Sequence, residues 1–539
     1  MALCIPIRLF TIALLLFTIN NVIAQSEVTL HGRITDTETG QLIPARLYIE
    51  SETEEFHLAQ SDGGSAIPYE KRRQEVKEVH TSLSAHPFKA TLPPGTYHLT
   101  VERGKEYLPN TQTITLEGED TSITIPLKRW INMNDHGWFS GETHIHRPVS
   151  ELKTLLLCEE LNVALPLTAW VRGAEDSPLK NNLNPEIVLN RDLIKVDSKH
   201  VIWPLNTEYE VTEVEGERHP IGALFVLNHK KPLDLTAPPV GPVVEEARRQ
   251  GAILDLDKHN WPWSIMLIPT AGVDLFQLTN NHIWRTDFVF SNFFPDYVPD
   301  YMNIEHVDGL ITERGWIDFG FQTYYALLNC GFDIMPSGGT ASGVHPVPLG
   351  FGRVYVKLDG EFSYDAWMDG LEQGHSFVTT GPMVEVTFND QLPGETISTS
   401  KGHPTKIHIR GLVQSPDPIE SIEIIQNGTV VHSLLIGNAN ANGVYSQEID
   451  ITLPVDSSSW LALRSFARWQ DDRPRFAHTA PIFVDYPNQP LRPGKPEAEY
   501  LLKRVEDEIA RHEGLLSPDA VEEFRSAARV YRDLLEGAR

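Results

Sequence analysis

The sequence predicts an α/β protein: a central layer of alternating strands and helices, flanked by two β-sandwich domains and closed by a C-terminal helical hairpin. Three observations lead there. Between residues 129 and 383, short apolar runs such as NVALPLTAW, GALFVLNH, AILDLDKHN and VDLFQLTNN alternate with amphipathic runs such as SELKTLLLCEEL and VGPVVEEARRQG. That alternation is the pattern of βα units around a parallel sheet or barrel. Residues 25–128 and 384–486 instead hold β-rich, partly alternating segments such as VTLHGRITD, YHLTVERG, VEVTFND and TKIHIRG, punctuated by turn residues. Finally, 539 residues exceed what one hydrophobic core holds.

In chain order, residues 1–24 read as a secretory signal. Arg8 precedes the apolar stretch from Leu9 to Phe17, and VIA supplies a small-residue cleavage site after Ala24. The apolar run is too short to span a bilayer comfortably, and Asn20 and Asn21 interrupt it. The expectation is export to a periplasmic or extracellular location, with no stable membrane insertion after cleavage. Residues 25–128 form the first sandwich, with the polar stretch from Glu52 to Pro87 as a loop excursion and no evident chemistry. The second sandwich follows at 384–486, where QNGT around Asn427 reads as a hairpin turn more simply than as a glycosylation site. Residues 487–539 are a Pro-rich linker and a helical hairpin, whose second helix starts at Ser517 as cap and Pro518 in the first turn.

Composition narrows the partners. A formal charge of −28 lacks the basic footprint that nucleic acid or an anionic membrane surface requires. Once the signal carries away Cys4, only Cys158 and Cys330 remain, each in an apolar run. They read as buried free thiols, not as a disulfide framework.

The chemistry-bearing stretch is GWFSGETHIHRP. Strand periodicity puts Glu142, His144 and His146 on one face, with Thr143 and Ile145 on the other. Two imidazoles on one face can chelate a metal ion, and the carboxylate can ligate or orient them. The competing reading is a hydrogen-bonded histidine pair under a loop; with 21 histidines, about one H-x-H arises by chance. Further polar candidates fall at strand ends, where α/β folds place chemistry: Glu208, His259, and Asn280 to His282.

GWFSGETHIHR resembles the first motif of the polymerase and histidinol phosphatase (PHP) metal-dependent hydrolases. With PPGTYHLTVERGKEYLP, QLTNNHIWR, GGTASGVHPVPLGFGRVYVK, GHSFVTTGPM and FAHTAPIFV in order, it is similar to the exported CehA/McbA-type branch, which carries an N-terminal carboxypeptidase-regulatory-like β-sandwich. The resemblance covers most of the chain and implies a distorted (β/α)7 barrel holding metals at its strand ends. Carried over motif by motif, it implies His144, His146, Glu151, Glu208 as a bridging carboxylate, His219 and His259 as ligands. Two motifs depart. LTAW puts Ala169 and Trp170 where an acid and a histidine are usual, and GGTASGVH puts Ala341 and Gly343 where an Asp-x-His pair is usual, with His345 as a substitute two residues on. The implication is one or two divalent ions, with the incomplete site finished by water, substrate, Glu142 or His282.

Imidazole and carboxylate donors suit zinc first, with manganese or iron as alternatives. Arg147 stands ready either to bind an oxyanion or to form a structural salt bridge, and His282 beside Asn280 and Asn281 is a substrate or metal contact. The aromatics from Trp284 to Tyr325 either wall an apolar pocket or pack domains together. The function expected is an exported metal-dependent hydrolase acting on an ester, amide or phosphoester bond of a small-molecule or polymer substrate. The alternative is a catalytically degenerate barrel that binds glycans or peptides.

Overall fold

The computed structural model describes residues 27–184, 192–292, 298–399, 404–436, 439–440, 443–487 and 489–539. The expected signal at residues 1–24 lies outside them, as do Phe293, Phe294 and Tyr297 of the aromatic-rich segment. No described helix is long and apolar enough to cross a membrane.

The N-terminal module is a sandwich of a five-stranded and a six-stranded sheet. Its strands follow the period-two rule: Val28–Asp36 buries alternate residues, and Leu30, Ile34, Leu47, Leu99, Val101 and Ile125 meet in one core. The stretch read as a loop excursion instead contains a long hairpin, Ala66–Arg73 against Val76–Leu83. Its polar residues are strand residues, and Tyr69 and Arg73 among them contact the central region. The Tyr69 hydroxyl donates to the carbonyl of His345 at 2.5 Å and accepts from the N–H of Gly343 at 2.9 Å.

The central region corrects the barrel expectation. The chain is mostly β, 41% strand against 21% helix, and its central strands belong to two different sheets that do not form a ring of seven βα units. One sheet runs Ala169–Gly173, Thr207–Val214, Glu217–Leu227, Ile253–Asp257, Leu275–Thr279 and Met335–Gly338. Its two middle pairings are antiparallel. The cause is local: Glu215 and Gly216 both sit at positive φ (51° and 80°), the two-residue turn that closes a hairpin where a helical crossover was expected. Among the described residues only four central helices exceed one turn: Val149–Glu159, Gly241–Arg249, Glu313–Asn329 and Tyr364–Gln373.

The other sheet has twelve strands and crosses the 383/384 boundary. Trp138–Ile145 lies within it and is buried along its whole length. Ser376–Thr379 pairs on one side with Arg353–Lys357 and on the other with Pro474–Thr479. A three-stranded sheet of Met383–Phe388, Thr405–Ser415 and Tyr445–Val455 completes a second sandwich, whose core mixes Trp138, Tyr355 and Phe377 with Val384, Ile409 and Leu463. Asn427 and Gly428, both at positive φ, make the tight turn between two of its strands.

Helices Lys495–His512 and Pro518–Glu536 form the C-terminal hairpin, and the Ser517 hydroxyl accepts from the N–H of Ala520 at 3.3 Å. The hairpin docks beside the central sheet. Tyr531 donates to the carbonyl of Ile265 at 2.6 Å. The Glu523 carboxylate accepts the N–H groups of Val240 and Gly241 at 2.9 and 2.7 Å, satisfying donors that the start of helix Gly241–Arg249 leaves open.

Candidate metal centre

His144, His146 and Glu208 converge: one ligand atom from each lies within 4.8 Å of the others, enough for the group to hold a metal ion. They come from separate sheets. His144 is near the end of Trp138–Ile145, His146 lies just past it, and Glu208 opens Thr207–Val214. For donors about 2.1 Å from a tetrahedral ion, the ligand–ligand spacing is about 3.4 Å, so small side-chain shifts close the group on an ion.

The surroundings prepare these donors. Gln277 donates its amide N–H to Thr143 Oγ1 at 3.2 Å and to Asp255 Oδ2 at 3.1 Å. Its carbonyl is thereby aimed at His144 Nδ1, 3.3 Å away. With Nδ1 as donor there, the tautomer assigned by the network leaves Nε2 its lone pair, the arrangement that orients metal-ligating histidines. Burial, reinforced by His146 and Lys258, holds the His144 pKa well below its usual range, so the ring is neutral, the ligating form. His146 Nε2 faces Glu208 Oε2 at 3.1 Å without hydrogen-bond alignment, while His146 Nδ1 and Glu208 Oε2 are buried with no hydrogen-bond partner. Buried polar atoms are rarely left so. Trp170, standing where the resembling motif has a ligand, packs its ring 4.7 Å from that of His146 and serves as wall.

Two residues missed by the sequence reading dominate the electrostatics. Lys258, buried and at φ 62°, places its ammonium 3.0 Å from Glu210, 3.4 Å from Asp257 and 3.7 Å from Glu208. Burial opposes its charge, but these three carboxylates hold its pKa above the usual lysine range. Asp257 also lies 3.5 Å from His144 Nδ1, and burial pushes its carboxyl up to about 6 against the pull of Lys258. A run reading LDLDKH gives no warning of this, because lysine is rarely buried. The third missed residue is Arg73, from the N-terminal hairpin.

These groups border a cavity of about 210 Å³, which His282 and His345 also line. Its aromatic walls are Trp170 and Trp261. The phenylalanines after Trp284 mostly pack: Phe290 and Trp316 lie against His282, and Trp316 and Phe319 against His259. Arg73 reaches the cavity mouth, donating to His345 Nδ1 at 2.9 Å and lying over Trp284 and Phe290.

The remaining candidates are placed elsewhere. Glu142 is spent on the backbone N–H of Thr340 at 2.8 Å and of Gly350 at 2.6 Å; the strand register shifts between Glu142 and Ile145, so it leaves the face of the histidines. Glu151 pairs with Arg147 at 2.6 Å, which settles Arg147 as a salt bridge stacked on Tyr69 and removes both from the metal group. His219 bonds His512 of the C-terminal hairpin at 2.8 Å, drawn away by the antiparallel strand on which it sits. His259 accepts from Asn280 at 3.0 Å within its aromatic packing. His345 uses Nδ1 on Arg73 and remains a wall residue, as does His282, whose backbone N–H bonds Asn280.

No protein-family model matches the chain, and no curated protein matches it.

Proposed function

We propose that this pocket is the active site of a metal-dependent hydrolase that cleaves an ester, amide or phosphoester bond in a small-molecule or polymer substrate, and that the protein is exported. The observation that carries the reading is the convergence of two imidazoles and a carboxylate, with His146 Nδ1 and Glu208 Oε2 buried and without hydrogen-bond partners. The motif resemblance to PHP hydrolases supports it at His144, His146 and Glu208. Zinc suits a two-imidazole, one-carboxylate set with an open fourth position; manganese and iron are the alternatives. A divalent ion bound there supplies Lewis acidity and lowers the pKa of its water from about 16 to about 7.

The chain's own residues do the rest. Gln277 fixes the His144 ring, Trp170 and Trp261 limit water, and Arg73 offers a guanidinium to an anionic substrate group or developing oxyanion. Lys258 sets one positive charge against the three carboxylates Glu210, Asp257 and Glu208, so one divalent ion balances the pocket better than two. The same lysine favours a second reading, a binding pocket for glycans or peptides without chemistry, because it gives all three carboxylates an ion-pair partner from the chain itself.

Metal analysis of the purified full chain tests the proposal: about one ion per chain is expected. The double variant His144→Ala/His146→Ala should lose it, and unchanged metal content sinks the assignment. Metal-loaded protein that turns over no ester, amide or phosphoester would favour the second reading.

A further inference from the structure

A second charged cavity, of about 280 Å³, lies where the three parts of the chain meet. Its lining holds five cationic side chains and three carboxylates. Two of the cations are matched: Arg46 pairs with Glu102 and Glu159, and Arg285 with Glu102. The other three come one from each part. Lys105 belongs to a turn of the N-terminal sandwich, Arg353 to the strand Arg353–Lys357, and Arg475 to Pro474–Thr479 of the C-terminal sandwich.

None of these three has a dedicated carboxylate. Lys105 donates to the carbonyl of Thr380 at 2.7 Å. Arg353, fully buried, donates to the carbonyls of Gly350 and Glu159, and its Nη2 has no hydrogen-bond partner. Arg475 is 1% exposed; its nearest carboxylate, Glu313 at 3.7 Å, is already held by two nitrogens of Arg473 at 2.8 Å. The remaining acid of the lining, Asp417, forms no direct ion pair with them; its charge acts on Lys105 and Arg475, but one carboxylate against three cations leaves a surplus. Folding does not gather an uncompensated set of buried cations without a counter-charge, since unpaired charge in the interior is strongly disfavoured.

We propose that this cavity is an oxyanion-binding site, independent of the metal pocket, for a small phosphate- or carboxylate-bearing ligand. The anion completes the charge balance of Lys105, Arg353 and Arg475 and ties the three parts of the chain together. Burial, with Arg353 and Arg475 next in weight, presses Lys105 well below the usual lysine range, a displacement that a bound anion would reverse.

Thermal unfolding of the full chain in EDTA tests this, with inorganic phosphate and malonate titrated against chloride at matched ionic strength. A saturable rise in Tm is expected for phosphate, malonate or both, and the stronger of the two identifies the ligand class. The rise should persist in His144→Ala/His146→Ala, which separates this site from the metal pocket and from the hydrolase reading. Lys105→Gln and Arg475→Gln should each weaken the apparent affinity about tenfold or more, as loss of one charge-assisted hydrogen bond implies. Equal responses to chloride and the oxyanions, or variants that respond like the parent, overturn the proposal. If neither variant folds, calorimetric titration of the parent decides: no saturable binding of phosphate or malonate is equally fatal.

Discussion

The metal pocket and the junction cavity are both charged interiors, yet they are assembled from opposite surpluses. Around His144, His146 and Glu208 the carboxylates outnumber the one buried cation, Lys258, which three of them share, and the orphaned atoms include His146 Nδ1 and Glu208 Oε2 beside Lys258 Nζ and Trp261 Nε1. At the junction the orphaned atoms are donors, Arg353 Nη2 and Arg46 Nε, and cations outnumber acids. The difference shows that what an interior lacks, more than what it contains, specifies the ligand it takes. A cation is missing from the first and an anion from the second.

The largest test of that contrast removes the cation the metal pocket already has. Lys258→Met should cost about 3–5 kcal/mol in metal-free protein, as loss of one member of a buried charged group does. Because the substitution enlarges the deficit of positive charge, added zinc should restore more stability to the variant than to the parent. Urea unfolding in EDTA and in zinc checks both points, and equal gains from zinc would break the comparison.

Next in size is Gln277→Leu, which leaves the donors in place but frees the His144 ring. Metal affinity should fall about 10–100-fold, the usual consequence of losing a partner that orients a ligand. Competition with a chromogenic chelator measures this, and an unchanged affinity would show that His144 is not held by Gln277.

His478 supplies the contrast of an imidazole with both nitrogens spent. It donates from Nδ1 to the carbonyl of Thr479 at 2.6 Å and accepts at Nε2 from Tyr325 at 2.8 Å. Burial lowers its pKa to about 3. The unfolded chain then takes up the proton first, so the stability is fully present above about pH 6.5 and is lost as pH falls below it. The loss is about 1.4 kcal/mol per pH unit down to about pH 3. His478→Gln should flatten the pH dependence of unfolding by that amount, and an identical slope would contradict the assignment.

The smallest structural effect belongs to Arg73→Ala. Its guanidinium has no carboxylate ion pair, so loss of the hydrogen bond to His345 and of the stacking over Trp284 and Phe290 should cost only about 1 kcal/mol and leave metal content intact. What it should change is the affinity for anionic ligands at the pocket mouth, measured with benzoate against its neutral analogue benzamide. Equal losses for the two would rule out a charge-reading role.

The sequence disclosed much of this locally and little of it at long range. Strand and helix segments were legible because burial imposes periods of two and 3.6, and HIH declared itself by spacing. Glu208 is expected at the C-terminal end of a strand, but it stands second in Thr207–Val214 and reaches the histidines from the strand's start. The barrel expectation fails because alternation of strand and helix does not reveal strand direction; the short-range signal against it is Glu215-Gly216 between two apolar runs. Lys258 and Asp257 were hidden because their meaning depends on Glu208 and Glu210 from another strand. Arg73 was hidden further still, in a polar segment whose partner His345 is 272 residues away. Spacing puts Glu142 with the histidines and the motif resemblance puts His219 there, but a register shift and an antiparallel strand carry them elsewhere.

The strand Ser376–Thr379 has a consequence for how the molecule can be divided. Placed between Arg353–Lys357 and Pro474–Thr479, it makes the two halves of the chain share a single ladder of hydrogen bonds. A protease that nicked the backbone near residue 383 would release no fragment, and a gene cut there would encode two pieces with raw, adhesive edges. The unit that can be moved, shortened or inherited intact is therefore the sheet, and its limits are not those drawn by composition.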